Sequence, residues 1–292
     1  MDGTLYLVAT PIGNLEDITY RAVRVLKEAG LIACEDTRQT RKLLDHYGIR
    51  TPTVSYHEHN EATRSAELLE KLRQGLTVAL VSDAGTPLVS DPGYRLVQRA
   101  IENGIRVEPV PGASALLAAL TASGLPSDEF HFAGFLPPKS GRRRKALEDL
   151  KAEEATLVLY ESPHRILETL EDLGAVLGDR PTVLAREITK LHEEFLRGTP
   201  AELKDLLQAR ASIKGEITLL VGKALHAESD DTPLAQAVEE CVQSGMPRME
   251  AIKAVARRRG LSKREVYKAC GPRGSDQRPD REGGVAQGTQ PP

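Results

Sequence analysis

Five short apolar runs in the first ~115 residues alternate with stretches of helical period, and each run ends in a loop of polar residues, glycine or proline. Residues 5–8, 31–34, 53–56, 77–81 and 106–110 read as strands. Residues 21–28, 41–47, 62–73 and 93–102 read as the helices between them, with Leu68, Leu69 and Leu72 showing the three- and four-residue spacing. Repeated strand–helix–strand units leave few solutions. The crossovers are right-handed, the sheet is mainly parallel, and helices cover both of its faces.

A second α/β series follows the break Gly124-Leu125-Pro126-Ser127. Its expected strands are 130–135, 156–160, 182–185 and 217–221, with helices near 143–151, 165–176 and 200–207. From Leu234 the pattern becomes purely helical. Leu234, Ala237, Val238, Cys241 and Val242 share one face, Gly245-Met246-Pro247 breaks it, and Ser262 with Glu265 makes a capping box that opens a last helix. The final 21 residues contain 4 Gly and 4 Pro and only Val285 and Ala286 as apolar residues, which predicts a disordered tail. The expected organisation is an N-terminal α/β domain at 1–123, a second at 128–224, a basic helical appendage at 232–271 and a tail at 272–292.

Composition removes several classes of function. Hydrophobic residues make up 40% and charged residues 28%, which suits a globular chain. No run approaches the ~18 apolar residues of a membrane span. The start Met1-Asp2-Gly3-Thr4 lacks the features of a signal peptide. Cys34, Cys241 and Cys270 are too few and too scattered for a disulfide framework or a zinc site, so a cytoplasmic setting is expected. A net charge of -3 gives no global attraction to nucleic acid, so any such attraction is local.

Ligands in open parallel sheets bind beyond the carboxyl ends of the strands. Those ends carry Ala9-Thr10-Pro11-Ile12-Gly13-Asn14, Glu35-Asp36-Thr37-Arg38, His57-Glu58-His59-Asn60-Glu61, Ser82-Asp83-Ala84-Gly85-Thr86-Pro87 and Pro111-Gly112-Ala113-Ser114-Ala115. Any one of these reads as an ordinary turn; five on one edge read as a pocket. There is no Gly-x-Gly-x-x-Gly after the first strand and no Gly-Lys-Ser/Thr phosphate loop. His57-Glu58-His59 lacks metal-ligand spacing and reads as a solvated or RNA-facing loop.

The loops above, in order with Ser90-Asp91-Pro92-Gly93, Gly134-Phe135-Leu136-Pro137, Tyr160-Glu161-Ser162-Pro163-His164-Arg165, Ala185-Arg186-Glu187-Ile188-Thr189-Lys190 and Lys214-Gly215-Glu216-Ile217, resemble the tetrapyrrole methylase superfamily in its ribosomal RNA branch. The resemblance runs from residue 5 to about 222. It implies two α/β domains of the class III methyltransferase type with a small C-terminal helical domain, and a cleft that holds S-adenosylmethionine. It further implies 2'-O-methylation of a cytidine ribose in small-subunit (16S) ribosomal RNA, a homodimer, and no membrane or metal partner. Carried over by position, the cofactor residues are Pro11, Asp83, Ala84, Gly85, Thr86, Ser114, Ala115, Tyr160, Ala185, Glu216 and Ile217. The first loop departs from the Gly-Pro-Gly-Asp form of the porphyrin-methylating branch, which points away from a tetrapyrrole substrate.

A base near the cleft would take the ribose proton. Glu187, Lys190, Glu35, Asp36 and His57 are candidates; Glu187 with Lys190 is preferred as the catalytic pair, a structural ion pair or a phosphate contact being the other reading. Expected RNA contacts are Arg38, His57, Arg142, Arg143, Arg144, Arg257, Arg258, Arg259, Lys263 and Arg264. The run from Lys139 to Lys145 sits at a helix start, where cations are unfavourable without an anion. Residues 246–273 hold nine Lys/Arg against two Glu, a local net of +7. Two other functions stay open: methylation of a tetrapyrrole or other small molecule, and DNA binding through a helix-turn-helix built from the basic helices.

Overall fold

The computed structural model describes residues 3–223, 232–259 and 261–270, with only the backbone of residues 257 and 258. The expectation for 272–292 and the boundaries at 1–2 and 224–231 lie outside the described residues. The chain divides into two compact units, Met1–Ala224 and Leu225–Pro292. The first carries both α/β halves.

The first half contains β1 (Thr4–Val8), α1 (Tyr20–Glu28), β2 (Leu31–Cys34), α2 (Thr37–His46), β3 (Thr53–Ser55), α3 (Glu61–Arg73), β4 (Val78–Val81), α4 (Tyr94–Glu102), β5 (Arg106–Val110) and α5 (Ala115–Ser123). Its sheet has the order β3-β2-β4-β1-β5, and every pair is parallel. Alternate residues feed opposite cores. Val8, Ile32, Cys34 and Val81 pack on Ala22, Val25 and Leu26 of α1, while Leu5, Ala33, Val78 and Leu80 pack on α3 and α4. The crossover from β1 runs toward one edge of the sheet and that from β4 toward the other. The crevice where parallel sheets hold ligands therefore lies between the ends of these two neighbours.

The second half contains β6 (Phe130–Phe135), α6 (Ser140–Asp149), β7 (Thr156–Glu161), α7 (Ile166–Leu177), β8 (Thr182–Arg186), β9 (Glu194–Gly198), α8 (Pro200–Gln208) and β10 (Ile217–Val221). This sheet is mixed, in the order β6-β7-β10-β8-β9, with β6 and β7 parallel and all other pairs antiparallel. The strand β9 is absent from the sequence reading. It is a five-residue edge strand whose place is set by pairing with β8, not by an apolar period. One face of the sheet is covered by α6, α7 and α8. The other is covered by α5, whose Ala119 and Leu120 pack on Val158, Val183, Ala185 and Leu220. That helix belongs to the first half by sequence, and it fastens the two halves together.

Glu194 stands opposite Arg186 in the β8–β9 register and accepts from both Arg186 and Arg210. The Arg210 hydrogen bond, opposed by burial and aided by Arg186, holds its carboxyl at about 2 against an ordinary 4.5. A depressed folded pKa stabilises above the unfolded value, and that stability is lost as pH falls through the folded one. Acid unfolding is therefore expected to include a Glu194-dependent loss between about pH 4.5 and about 2. Stability measured by urea titration across that range should flatten in Glu194→Gln; an unchanged slope would remove this carboxylate from the account.

The described residues of the second unit form three helices, α9 (Leu234–Gln243), α10 (Arg248–Arg258) and α11 (Lys263–Cys270). Ala237, Val238, Ala251, Ile252, Val255 and Val266 form its core. The capping box is present in both directions: the Ser262 amide donates to Glu265 Oε2 at 2.7 Å, and the Glu265 amide donates to Ser262 Oγ at 3.3 Å.

Candidate functional site

Three loops of the first half are tied together before anything binds. Thr10 and Gly85 exchange both backbone hydrogen bonds, at 2.9 and 3.0 Å. The Thr10 hydroxyl, almost fully buried, donates to the Ser82 carbonyl at 3.1 Å, and the Thr86 hydroxyl donates to the Ala113 carbonyl at 3.2 Å. Gly85 has φ +83°, a left-handed conformation that strains any side chain, and a Cβ there would lie 3.3 Å from Ile12 Cγ2. The loops after β1, β4 and β5 are thus one rigid edge.

Across from it stand the ends of β6, β7 and β8 and the start of β10, which share an edge because β10 runs antiparallel to both β7 and β8. The space between is a cavity of about 340 Å³. Ile12, Ala84, Gly85, Thr86, Ser114 and Ala115 line it from the first half; Tyr160, Ile188, Glu216 and Ile217 line it from the second. The Tyr160 ring is held edge-on by Phe132 at 5.0 Å and flanked by Phe135 at 5.6 Å. Leu88, Ser90, Glu187 and Thr189, the four described non-glycine residues with positive φ, all lie in the two segments that border this space. Backbone strain of that kind concentrates at binding sites.

Eight of the eleven expected cofactor positions line the cavity: Ala84, Gly85, Thr86, Ser114, Ala115, Tyr160, Glu216 and Ile217. The other three are not among the lining residues. Pro11 is buried beside Ile12, Ala185 lies in the core beneath the floor, and exposed Asp83 accepts from the Asp36 amide at 3.0 Å. Several lining residues carry no expected role in the sequence reading, among them Val89, Ser90, Asp91, Phe135, Glu161 and Gly215. Their motifs were visible, but nothing in spacing says that the loop after β4 folds back a second time to present Asp91. Burial pushes the Asp91 carboxyl up, with Asp83 adding to the rise and the Ser82 hydrogen bond opposing it. Burial likewise raises Glu35, reinforced by Asp83 and Asp91.

Glu187 and Lys190 do come together, but as an ion pair beside the cavity wall. Lys190 Nζ donates to Glu187 Oε1 at 2.8 Å and to Glu216 Oε2 at 2.9 Å, and its stem lies against Gly13 of the β1 loop. Glu187 Oε1 also accepts from the Glu216 amide at 3.0 Å. The Lys190 hydrogen bond holds the Glu187 carboxyl below its usual range. Burial pulls the Lys190 ammonium down, but its bonds to Glu187 and Glu216 outweigh this and leave it raised. Both shifts favour the charged pair over proton exchange. Gly215, at φ +94°, passes so close to the Glu187 carboxyl group that a Cβ would collide with it.

The expected RNA contacts divide. Arg143 is a correction: it is 1% exposed, donates to Asp172 at 2.7 Å and reaches Glu168 and the Pro138 carbonyl. Arg144 is half exposed, but it donates to the same Asp172 at 2.5 Å. Asp172 of α7 supplies an anion at this helix start. Arg142 is exposed. Arg38 is 88% exposed and fixed by Asp36. His57 is half-buried, with Nε2 3.2 Å from Asn60 Nδ2 and a buried Nδ1 without a partner. Lys263 and Arg264 are exposed on α11, Arg259 is half-buried, and the side chains of Arg257 and Arg258 lie outside the described residues.

No described group of His, Cys, Asp and Glu is placed to hold a metal ion, and no described helix is long and apolar enough to cross a membrane.

The profile of the "Tetrapyrrole (Corrin/Porphyrin) Methylases" matches residues 4–204. A "Ribosomal RNA small subunit methyltransferase I" from Halalkalibacterium halodurans is 53% identical over 271 residues, covering 91% of this chain and 93% of its own. Among solved structures, uroporphyrin-III-C-methyltransferase from Thermus thermophilus is 26% identical with a TM-score of 0.55, covering 76% of this chain and 96% of its own. A second structure from that organism, complexed with S-adenyl homocysteine, is 24% identical with a TM-score of 0.53, covering 76% and 99% of the two chains.

Proposed function

Because this chain belongs to the tetrapyrrole methylase family, we propose that it uses S-adenosylmethionine to methylate the 2'-hydroxyl of a cytidine ribose in small-subunit (16S) ribosomal RNA. The observation that carries this reading is the cavity between the two sheet edges, which combines apolar walls, accessible main chain and a few carboxylates. A volume of about 340 Å³ falls in the range of small-molecule sites. Ile12, Ile188, Ile217 and the Tyr160 ring suit a flat heterocycle. The loop 84–86 offers backbone groups, and Glu216 suits hydroxyl, amino or cationic groups. These residues fit the cofactor, which supplies, when bound, a methyl group on a sulfonium.

The chain's own work is to hold, align and shield. Gly85 lets main chain approach closely, and Ser114 caps α5 through the Leu117 amide at 3.4 Å. Pro11 and Ala185 support the lining from behind, and Asp83 ties its loop to the one after β2. Glu187 and Lys190 act as positioning residues: the pair fixes Glu216 and bends the chain so that Ile188 faces the cavity. Asp91 lines the cavity and is held toward protonation by burial. It is therefore a better acceptor for the ribose proton than the tightly paired Glu187. Arg38, Arg142, Lys263 and Arg264, with the basic run Arg257–Arg259, supply phosphate contacts.

The test is transfer of labelled methyl groups to small ribosomal subunits that lack the modification. Label on one cytidine ribose is expected, and Asp91→Asn should bind S-adenosylhomocysteine normally while losing about 100-fold or more in rate. Bound cofactor with no label on subunits or naked rRNA would move the substrate to a small molecule. Full activity in Asp91→Asn would return the proton to another group.

A further inference from the structure

The helices α1 and α2 form a surface that the site above does not use. On the α1 side Arg24 and Lys27 stand against Glu28, a net of +1, while Arg21 turns away to donate to the Pro109 carbonyl at 3.0 Å; α2 itself carries Arg38, Arg41 and Lys42 against Asp45. Between the helices runs a shallow groove of about 430 Å³, lined by Tyr20, Val23, Arg24, Lys27, Glu28 and Tyr47. Tyr20 is 98% exposed, an aromatic ring that nothing among the described residues covers. Tyr47 is half-buried, and its hydroxyl donates to the Leu15 carbonyl at 2.6 Å while its ring meets His46 edge-on at 4.7 Å. One ring is thus free to stack and the other is held in place.

One loop of chain connects the cavity to the groove. The loop that supplies Ile12 to the cavity continues through Leu15, to which Tyr47 is tied, and ends where Tyr20 opens α1. A strand leaving the cavity rim would meet cations and an open aromatic face.

We propose that the α1–α2 groove binds single-stranded RNA flanking the nucleotide to be modified, with an unpaired base stacked on Tyr20 and phosphates against Arg24 and Lys27. The proposal rests on RNA being the substrate. Aromatic faces beside a basic groove are how proteins hold unpaired strands, because every base has a face to stack and every linkage a charge to neutralise. Duplex RNA keeps its bases stacked internally and offers Tyr20 nothing. Lys27 has no ion-pair partner among the described residues, while Arg24 is shared with Glu28 at 2.8 Å, both well exposed. A second copy of the chain is the weaker occupant: a two-fold contact through this groove would set Arg24 and Lys27 of one copy near the same cations of the other.

The experiment measures binding of the full chain to a fluorescein-labelled mixed-sequence single-stranded RNA of about 12 nucleotides, and to a duplex of the same length, over a range of salt. Tyr20→Ala is expected to weaken single-strand binding about tenfold, with Tyr20→Phe restoring it and duplex binding unchanged. Lys27→Ala should reduce the slope of log K against log salt by about 0.7, the share of one phosphate. Affinity for S-adenosylhomocysteine should not move in either variant, which certifies the fold. Unchanged single-strand affinity in Tyr20→Ala overturns the groove alone. A change of sedimentation without a change of RNA affinity overturns it in favour of a self-contact. Wild-type protein that binds S-adenosylhomocysteine but no RNA would overturn the RNA substrate and the groove together.

Discussion

Arg143→Ala is expected to destabilise the chain by about 3–5 kcal/mol, the cost of leaving a buried charge without its partner. Arg143 and Asp172 are both essentially inaccessible and meet at 2.7 Å. Burial alone would raise the Asp172 carboxyl, yet hydrogen bonds from Arg144, Arg143 and Ser140 hold it below its usual range. Removing Arg143 leaves Asp172 with a half-exposed arginine and a hydroxyl, and opens a hole above Leu147 in the core that packs α6 on α7. In a unit of this size the loss corresponds to a fall of roughly 10 °C in Tm. Arg142→Ala, one residue earlier and exposed, should leave Tm nearly unchanged. Thermal unfolding of the two variants, with RNA affinity measured well below either transition, separates the roles. If Arg143→Ala kept wild-type stability and lost RNA binding, Arg143 would belong with the RNA contacts after all.

Gly85→Val is expected to lower affinity for S-adenosylhomocysteine by at least 100-fold while the sheets remain folded. Two effects act on the same atoms. At φ +83° a β-branched residue is strained, which costs on the order of 1–3 kcal/mol. The backbone cannot relax freely, because Gly85 is held by both hydrogen bonds to Thr10. The remaining relief is to push Ile12, already 3.3 Å from an added Cβ, into the space a ligand would fill. Titration calorimetry gives the affinity and circular dichroism the fold. Wild-type affinity in Gly85→Val would place the ligand elsewhere than between the β1 and β4 loops.

The same cavity explains why an ion pair stands where acid–base chemistry was expected. Lys190 reaches from the β8–β9 connection to the β1 loop and to Glu216 at the start of β10. It braces three segments at the rim. Groups bound this tightly hold a shape better than they exchange protons. Asp91, half-buried at the wall, has the opposite balance, since burial raises its carboxyl.

The sequence alone determined what local pattern controls. The parallel first sheet follows from apolar runs at regular intervals, and the strands Leu31–Cys34, Arg106–Val110, Phe130–Phe135 and Ile217–Val221 end where their composition changes. The ligand edge was legible because parallel topology puts every strand's carboxyl end on one side, and the ordered loops there identify the family. The capping box of α11 is likewise local, since a Ser and a Glu three residues apart need nothing but each other. What tertiary structure decided is everything set by long-range pairing. The strand β9 exists because β8 lies beside it. Asp91 faces the cavity because the loop at 88–91 takes left-handed turns that no propensity announces. Arg142 and Arg143 look alike in a basic run, but only Arg143 falls on the helix face it shares with Leu147, over an aspartate 29 residues away. Charge is read from the chain one residue at a time, whereas its meaning depends on the dielectric and the partner that folding supplies, and these are fixed only when distant segments meet.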